Sequence, residues 1–162
     1  MRIGITGHRP SKLWGYDLTS PQYEALRRIL RETILQSQCD MAYTGMALGV
    51  DQIFAEEILQ LKQQGHNITL CACIPFLGQQ CKWPAKAQEH YRVLCSKCDS
   101  SVCVCQGNYA SWKLQKRNEY IVDRVDKLIA VWNGEPNGGT FNCIKYALEN
   151  NVETVIIHST KL

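Results

Sequence analysis

Hydrophobic positions in this chain follow two periods in turn. Short, mostly apolar runs are typical of buried strands, and each is followed by a longer stretch with apolar residues every three or four positions, as on one face of a helix. The pattern predicts strands at 2–6, 40–44, 67–74, 100–105, 127–132 and 153–158. It predicts helices at 21–38, 49–64, 84–97, 114–124 and 139–150.

Strands that are apolar on both faces, separated by amphipathic helices, indicate a parallel sheet covered by helices on both sides. With 162 residues, of which 45% are hydrophobic, the chain can fill one core. We therefore expect a single doubly wound α/β domain over residues 1–162, with a mainly parallel sheet of about six strands. Right-handed crossovers place every strand-to-helix loop at one edge of such a sheet, where ligands bind.

Charge and hydropathy argue against two classes of partner. Eighteen basic residues against 15 acidic ones give a net charge of +3, short of the excess typical of proteins that coat nucleic acid. The longest uncharged stretch, 67–81, contains Pro75 and Gly78, so we expect no membrane span. Because the first residues show no signal-peptide pattern, we expect a cytoplasmic protein.

Nine cysteines raise the question of a metal site. Cys95, Cys98, Cys103 and Cys105 have the outline of four zinc ligands. However, the first two fall on the apolar stripe of a predicted helix, and the others lie in an apolar strand. We predict buried free thiols and no bound metal, because free cysteine packs as a small hydrophobic residue.

The loops that follow the predicted strands carry the candidate chemistry. Glycines there let backbone N–H groups reach a phosphate, and the positive end of a helix dipole favours an anion. Arg9 and Arg117 add fork-shaped donors, while Tyr16, Trp112 and other rings offer flat faces. The candidate ligand-binding residues are Thr6, Gly7, His8, Arg9, Tyr16, Gly45, Met46, Ala47, Leu48, Gly49, Asp51, Pro75, Phe76, Arg117, Asn118, Trp132, Asn133, Gly134, Gly138, Gly139 and Thr140. Together they predict a phosphorylated, ring-bearing small molecule as ligand.

Each of these residues also has a plainer interpretation. Arg9 is able to pair with Asp17 or Asp51 as a structural ion pair. Trp132 ends a buried strand, so core packing competes with ligand stacking. For His8 we favour a hydrogen-bonded loop residue over a catalytic base.

Five segments together resemble the YpsA family of the SLOG superfamily, which includes the LOG phosphoribohydrolases and the DNA-processing protein DprA. The segments are TGHRPSKLWGY, GMALGVDQIFAE, IPF with a following tryptophan, RNEYIVD and NGGTFNCIKYA, in the family's order. The resemblance implies a Rossmann-like sheet with a ligand site at the glycine motifs. It also implies ligands related to nucleotides, ADP-ribose or NAD-derived signals.

The chain departs from the enzymes of that superfamily at one position. LOG-type enzymes carry a GGxGTxxE motif whose glutamate assists cleavage of the ribosyl bond, and Cys143 stands where that glutamate would be. A thiol does not replace such a carboxylate. If the protein is an enzyme, Asp51 and Glu56 are the remaining candidate acids or bases.

These observations favour a sensor or sequestering protein that binds a nucleotide-derived molecule without catalysis and needs no other cofactor. One alternative is a LOG-like phosphoribohydrolase or NAD-type N-glycosidase. Another is DprA-like binding of single-stranded DNA, for which Lys113 and Lys116 beside Tyr109 and Trp112 offer a small basic surface. The family also suggests an interaction role in cell division. Exposed loop aromatics lead us to expect a homo-oligomer.

Overall fold

The sheet is built from six strands, in a computed structural model that describes all residues 1–162. The strands are β1 (Arg2–Gly7), β2 (Met41–Thr44), β3 (Thr69–Ile74), β4 (Ser100–Cys103), β5 (Lys127–Trp132) and β6 (Glu153–His158). Every neighbouring pair is parallel, in the spatial order β4-β3-β2-β1-β5-β6. The predicted parallel α/β fold is confirmed.

Five helices cover the two faces of this sheet. They are α1 (Pro21–Gln36), α2 (Val50–Gln63), α3 (Ala85–Ser96), α4 (Ser111–Val122) and α5 (Gly138–Glu149). Helices α1, α2 and α3 pack together on one face, and α4 and α5 pack on the other. Two short 3-10 helices, Pro10–Lys12 and Ser159–Lys161, complete the chain. No helix is both long enough and apolar enough to cross a bilayer.

The helix α4 begins three residues before its predicted start. Its first turn carries no apolar stripe, so periodicity did not reveal it. The Lys113 side chain instead fixes this turn, since its Nζ donates to the Gln106 and Asn108 carbonyls at 2.5 and 2.6 Å. A lysine that binds two loop carbonyls leaves no signal in a hydrophobic pattern.

The strand β4 departs from the prediction of strands buried on both faces. It pairs only with β3 and lies at the edge of the sheet, so Ser100, Ser101 and Cys103 are exposed. The prediction that Cys103 is a buried thiol is therefore wrong. All nine cysteines are free, and Cys39, Cys73 and Cys143 are the three that are buried. No cluster of three or more His, Cys, Asp or Glu side chains is placed to hold a metal ion.

The central strand β1 carries a glycine on each face where a helix approaches closely. A Cβ on Gly7 would stand 2.5 Å from the Cβ of Val50 in α2. A Cβ on Gly4 would stand 2.5 Å from Cγ2 of Ile121 in α4. Because β1 alternates its faces, the two glycines serve opposite layers. Strand β1 is thus pressed between α2 and α4, and its end is brought close to both helices.

The order in which successive strands are added to the sheet changes direction at β1. Strands β2, β3 and β4 lie on one side of β1, and β5 and β6 lie on the other. In open parallel sheets the crevice beyond such a switch point is where ligands bind. The topology therefore predicts a ligand site beyond the carboxyl ends of β1 and β5.

The Gly4→Ala substitution tests the close packing of β1 against α4. We expect a loss of about 1–3 kcal/mol in the free energy of unfolding, because Ile121 is fully buried and the extra methyl overpacks the layer. Gly139→Ala, where a Cβ meets nothing within 4 Å, is the control and should lose no stability. Urea unfolding of the three proteins measures the difference. Equal stability for Gly4→Ala and wild type would contradict this packing.

Candidate functional site

A cavity of about 190 Å³ opens at the carboxyl end of β1. Its walls come from the loop after β1, the turn between β2 and α2, one side of α4 and the first turn of α5. The lining residues are Thr6, Gly7, His8, Arg9, Ser11, Lys12, Ala47, Asp51, Leu114, Arg117, Asn118, Gly139 and Thr140. Only two of these thirteen are hydrophobic, so the cavity suits a polar ligand.

The turn between β2 and α2 is held by its own polar groups. The Thr44 hydroxyl donates to the Asp51 carbonyl at 2.8 Å, and the Ala47 N–H donates to the Asp51 carboxylate at 3.2 Å. Met46 sits at a φ of 60°, and Gln52 Nε2 donates to its carbonyl at 3.1 Å. These hydrogen bonds hold the turn in place, and Ala47 and Asp51 are the residues that bring it to the cavity lining. The glycine pattern predicted that backbone amides in this turn bind an anion. The Ala47 N–H is not free to do so, because it already donates to Asp51.

A buried arginine joins α4 to this turn. Arg117 is 5% exposed, and its Nη1 donates to the Gly45 carbonyl at 2.6 Å while its Nε donates to Asn118 Oδ1 at 3.0 Å. A Cβ on Gly45 would overlap the guanidinium group, so glycine is required here for close approach. The carbonyl also accepts from Gln79 Nε2 at 3.1 Å. Arg117 is therefore a fixed wall of the cavity.

The single carboxylate in the cavity lining belongs to Asp51. Burial raises the pKa of Asp51, while the neighbouring charges of Arg117 and Arg9 and the Ala47 N–H oppose the shift. One of its oxygens accepts from Ala47, and no protein group donates to the other. Asp51 therefore presents one free acceptor oxygen beside the cavity's cations.

The side chain of His8 connects three parts of the site. It is 6% exposed, its Nε2 accepts the Asn133 N–H at 3.1 Å, and its Nδ1 lies 3.4 Å from the Thr140 hydroxyl. Burial, followed by the charge of Lys12, lowers the pKa of His8. His8 is thus a hydrogen-bonded loop residue, as the sequence led us to expect.

Two cations at the cavity have no partner in the protein. Arg9 and Lys12 form neither a side-chain hydrogen bond nor an ion pair, and Asp17 binds Thr19 instead of Arg9. The Lys12 Nζ lies 3.5 Å from the position a Cβ would take on Gly138, the first residue of α5. No side chain caps this helix N-terminus. The charge of Lys12 and the positive end of the α5 dipole repel each other, and an anion between them would offset this repulsion.

The cavity brings together about half of the residues predicted for the site. Those in its lining are Thr6, Gly7, His8, Arg9, Ala47, Asp51, Arg117, Asn118, Gly139 and Thr140. Those outside its lining are Tyr16, Gly45, Met46, Leu48, Gly49, Pro75, Phe76, Trp132, Asn133, Gly134 and Gly138. Several residues of the second set pack against the lining residues and so determine their positions. A Cβ on Gly49, for example, would come within 2.7 Å of the His8 carbonyl, at a φ of 95°.

None of the predicted ring faces lines the cavity. Phe76 is buried and meets Tyr109 edge to face, and Trp132 stacks on Phe141 with centroids 6.0 Å apart. Tyr16 is 71% exposed. These rings pack within the protein or face solvent.

Sequence reasoning missed Ser11, Lys12 and Leu114. Lys12 belongs to the segment TGHRPSKLWGY, but the sequence does not show that it reaches the cavity. The 3-10 helix at Pro10–Lys12 places its side chain at the start of α5.

Glu56, the second candidate acid, lies outside the cavity. It forms an ion pair with Arg27 of α1 at 2.8 Å and a hydrogen bond with His90 of α3 at 2.9 Å.

The lowered pKa of His8 predicts a pH dependence of stability. Below pH about 6.5 the unfolded chain takes up a proton on this histidine while the folded protein resists it, so the free energy of unfolding falls as the pH falls. Urea unfolding between pH 5 and 8 should show a steeper fall for wild type than for His8→Asn. The other three histidines are common to both proteins. Parallel curves would contradict the buried, neutral state of His8.

Two solved structures share this fold. DprA of Streptococcus pneumoniae matches 96% of this chain with a TM-score of 0.64 and 16% identity, and this chain spans 49% of that protein. DprA of Helicobacter pylori matches 99% of this chain with a TM-score of 0.65 and 14% identity, covering 70% of that protein. The Helicobacter structure is described by its single-stranded DNA binding mode. The prediction, made from net charge, that nucleic acid is an unlikely partner is therefore wrong. A charge of +3 for a whole chain says little about the local charge at one edge of a sheet.

The chain is also similar in sequence to several bacterial proteins. A UPF0398 protein of Brevibacillus brevis is 24% identical over 141 residues, which are 85% of this chain and 75% of the relative. The SPbeta prophage-derived protein YoqJ of Bacillus subtilis is 29% identical over 135 residues, 76% of this chain and 78% of the relative. The model of the YspA SLOG family matches residues 3–162, and this chain therefore belongs to that family.

Proposed function

We propose that this protein binds a nucleotide-derived small molecule, holding its phosphate group in the cavity between β1, α2, α4 and α5, and that it does so without a chemical step. ADP-ribose, NAD-related and cyclic nucleotide signals are the ligand classes we favour. Such a protein would act as a sensor or would lower the concentration of free ligand.

The observation that carries the proposal is the unbalanced positive charge. Three cations, Arg9, Lys12 and Arg117, meet one carboxylate, Asp51, in the lining. Arg9 and Lys12 form no ion pair, and no side chain caps the amides at the start of α5. An anion with several acceptor oxygens would satisfy all of these donors together.

The size of the cavity limits which part of a nucleotide it encloses. About 190 Å³ is below the roughly 300–1,000 Å³ of pockets that enclose a whole drug-sized ligand. A phosphate with its sugar fits this space, and the base would extend towards the cavity mouth. The free oxygen of Asp51 is suited to accept a hydrogen bond from a sugar hydroxyl.

Binding is better supported than hydrolysis of a ribosyl bond. The Cys143 thiol is 1% exposed, packs with Val122, Leu128 and Ala147, and has a pKa that burial raises to about 12. It therefore supplies neither a nucleophile nor a base. Since Glu56 is engaged with Arg27 and His90 outside the cavity, Asp51 is left without a second carboxylate to share acid–base work.

Arg9→Gln and Lys12→Gln test the proposed anion contacts. Each should lower the affinity for ADP-ribose about tenfold or more, since a hydrogen bond to a charged group contributes about 1.5–3 kcal/mol. Titration calorimetry measures the affinity. Arg28→Gln and Lys86→Gln remove equivalent charges from α1 and α3 and serve as matched controls with unchanged affinity.

The same experiment separates the competing functions. NAD, AMP and ribose 5-phosphate are titrated alongside ADP-ribose, together with a short single-stranded oligonucleotide. Binding of the oligonucleotide alone, or equal losses in the control variants, would contradict a small-molecule phosphate site. Chromatography of the mixtures detects any released base, and release that is lost in Asp51→Asn would show an enzyme instead.

A further inference from the structure

The hydrogen bonds of His8 fix which of its ring nitrogens carries the proton. The backbone N–H of Asn133 always donates, so the His8 Nε2 that faces it at 3.1 Å must offer a lone pair. A neutral imidazole then carries its proton on Nδ1. Turning the ring over would place carbon atoms at these positions and leave the Asn133 N–H without its acceptor.

This tautomer determines the direction of the next hydrogen bond. With its proton on Nδ1, His8 donates to the Thr140 hydroxyl oxygen, 3.4 Å away. Thr140 is 5% exposed, lines the cavity and belongs to the uncapped first turn of α5. Since its oxygen accepts from His8, its own hydroxyl proton is left for a group in the cavity.

We infer that His8 is a positioning residue, which holds the Thr140 hydroxyl as a donor to an acceptor atom of the ligand. This inference rests on the proposed function and adds a rule of specificity to it. The position beside Thr140 takes a phosphate or carboxylate oxygen and disfavours an ammonium or other donor group. His8 thereby links the end of β1 and the Asn133 loop to the anion contact at α5.

The charges around His8 agree with a neutral ring. Burial and then the charge of Lys12 lower its pKa, while the Asn133 side chain and the charge of Glu135 raise it to a smaller extent. Protonation would also place an Nε2 proton against the Asn133 N–H. The ring is therefore held in the one neutral form that serves Thr140.

Two substitutions separate the two hydrogen bonds of His8. The Asn side chain of His8→Asn is able to place an N–H where Nδ1 stands, which keeps the donor to Thr140. The longer side chain of His8→Gln is able to place an oxygen near Nε2, which keeps the acceptor for Asn133 instead. We expect His8→Gln to lower the affinity for ADP-ribose about tenfold, the effect of one hydrogen bond to a charged group, and His8→Asn to retain most of it.

A double-mutant cycle with Thr140→Val shows whether the effect passes through the hydroxyl. In the Thr140→Val protein, His8→Gln should change the affinity less than about twofold, because the donor it positions is already absent. A purely structural role of His8 would give the same loss in both backgrounds. Additive losses, or a greater loss in His8→Asn than in His8→Gln, would overturn the inference.

The tautomer is measured without any ligand. Long-range proton–nitrogen correlation spectra of the ¹⁵N-labelled wild-type protein at pH 8 should show a protonated Nδ1 and an unprotonated Nε2 on His8. A protonated Nε2 would overturn the inference while leaving the proposed function standing. Failure of the wild type to bind ADP-ribose, NAD, AMP or ribose 5-phosphate would overturn the proposed function and the inference with it.

Discussion

The hydrogen bond from Arg117 to the Gly45 carbonyl is the contact on which the site depends. It buries a guanidinium group against a backbone turn, and it is possible only because residue 45 has no side chain. Through it α4, which packs on one face of the sheet, is fixed to the turn that begins α2 on the other. The cavity exists because these two helices are held at one distance across the end of β1.

Unpaired positive charge gives this space its chemical character. A buried arginine that bonds to neutral acceptors keeps its full charge, and Arg9, Lys12 and the start of α5 add to it, with Asp51 as the one carboxylate in the lining. Arg31 in α1, by contrast, forms an ion pair with Glu57 at 2.6 Å. The proposed anionic ligand would balance this excess of positive charge at one edge of the sheet.

The hydrophobic pattern predicted the order of elements because burial on two faces of strands and one face of helices is visible in sequence. The edge location of the site followed from parallel topology, and Arg9, Arg117 and Thr140 were found through it. Lys12 was missed because its role depends on a 3-10 turn that carries it to α5. The aromatic residues were overestimated, since a ring at a strand end packs on whichever neighbour the tertiary fold supplies, as Trp132 does on Phe141.

A crystal structure with bound ADP-ribose tests the central claim most directly. The account predicts phosphate oxygens within hydrogen-bond distance of Lys12 Nζ, the Thr140 hydroxyl and a backbone amide at the start of α5. ADP-ribose whose phosphates lie elsewhere, with Lys12 turned to solvent and the first turn of α5 free, would contradict it.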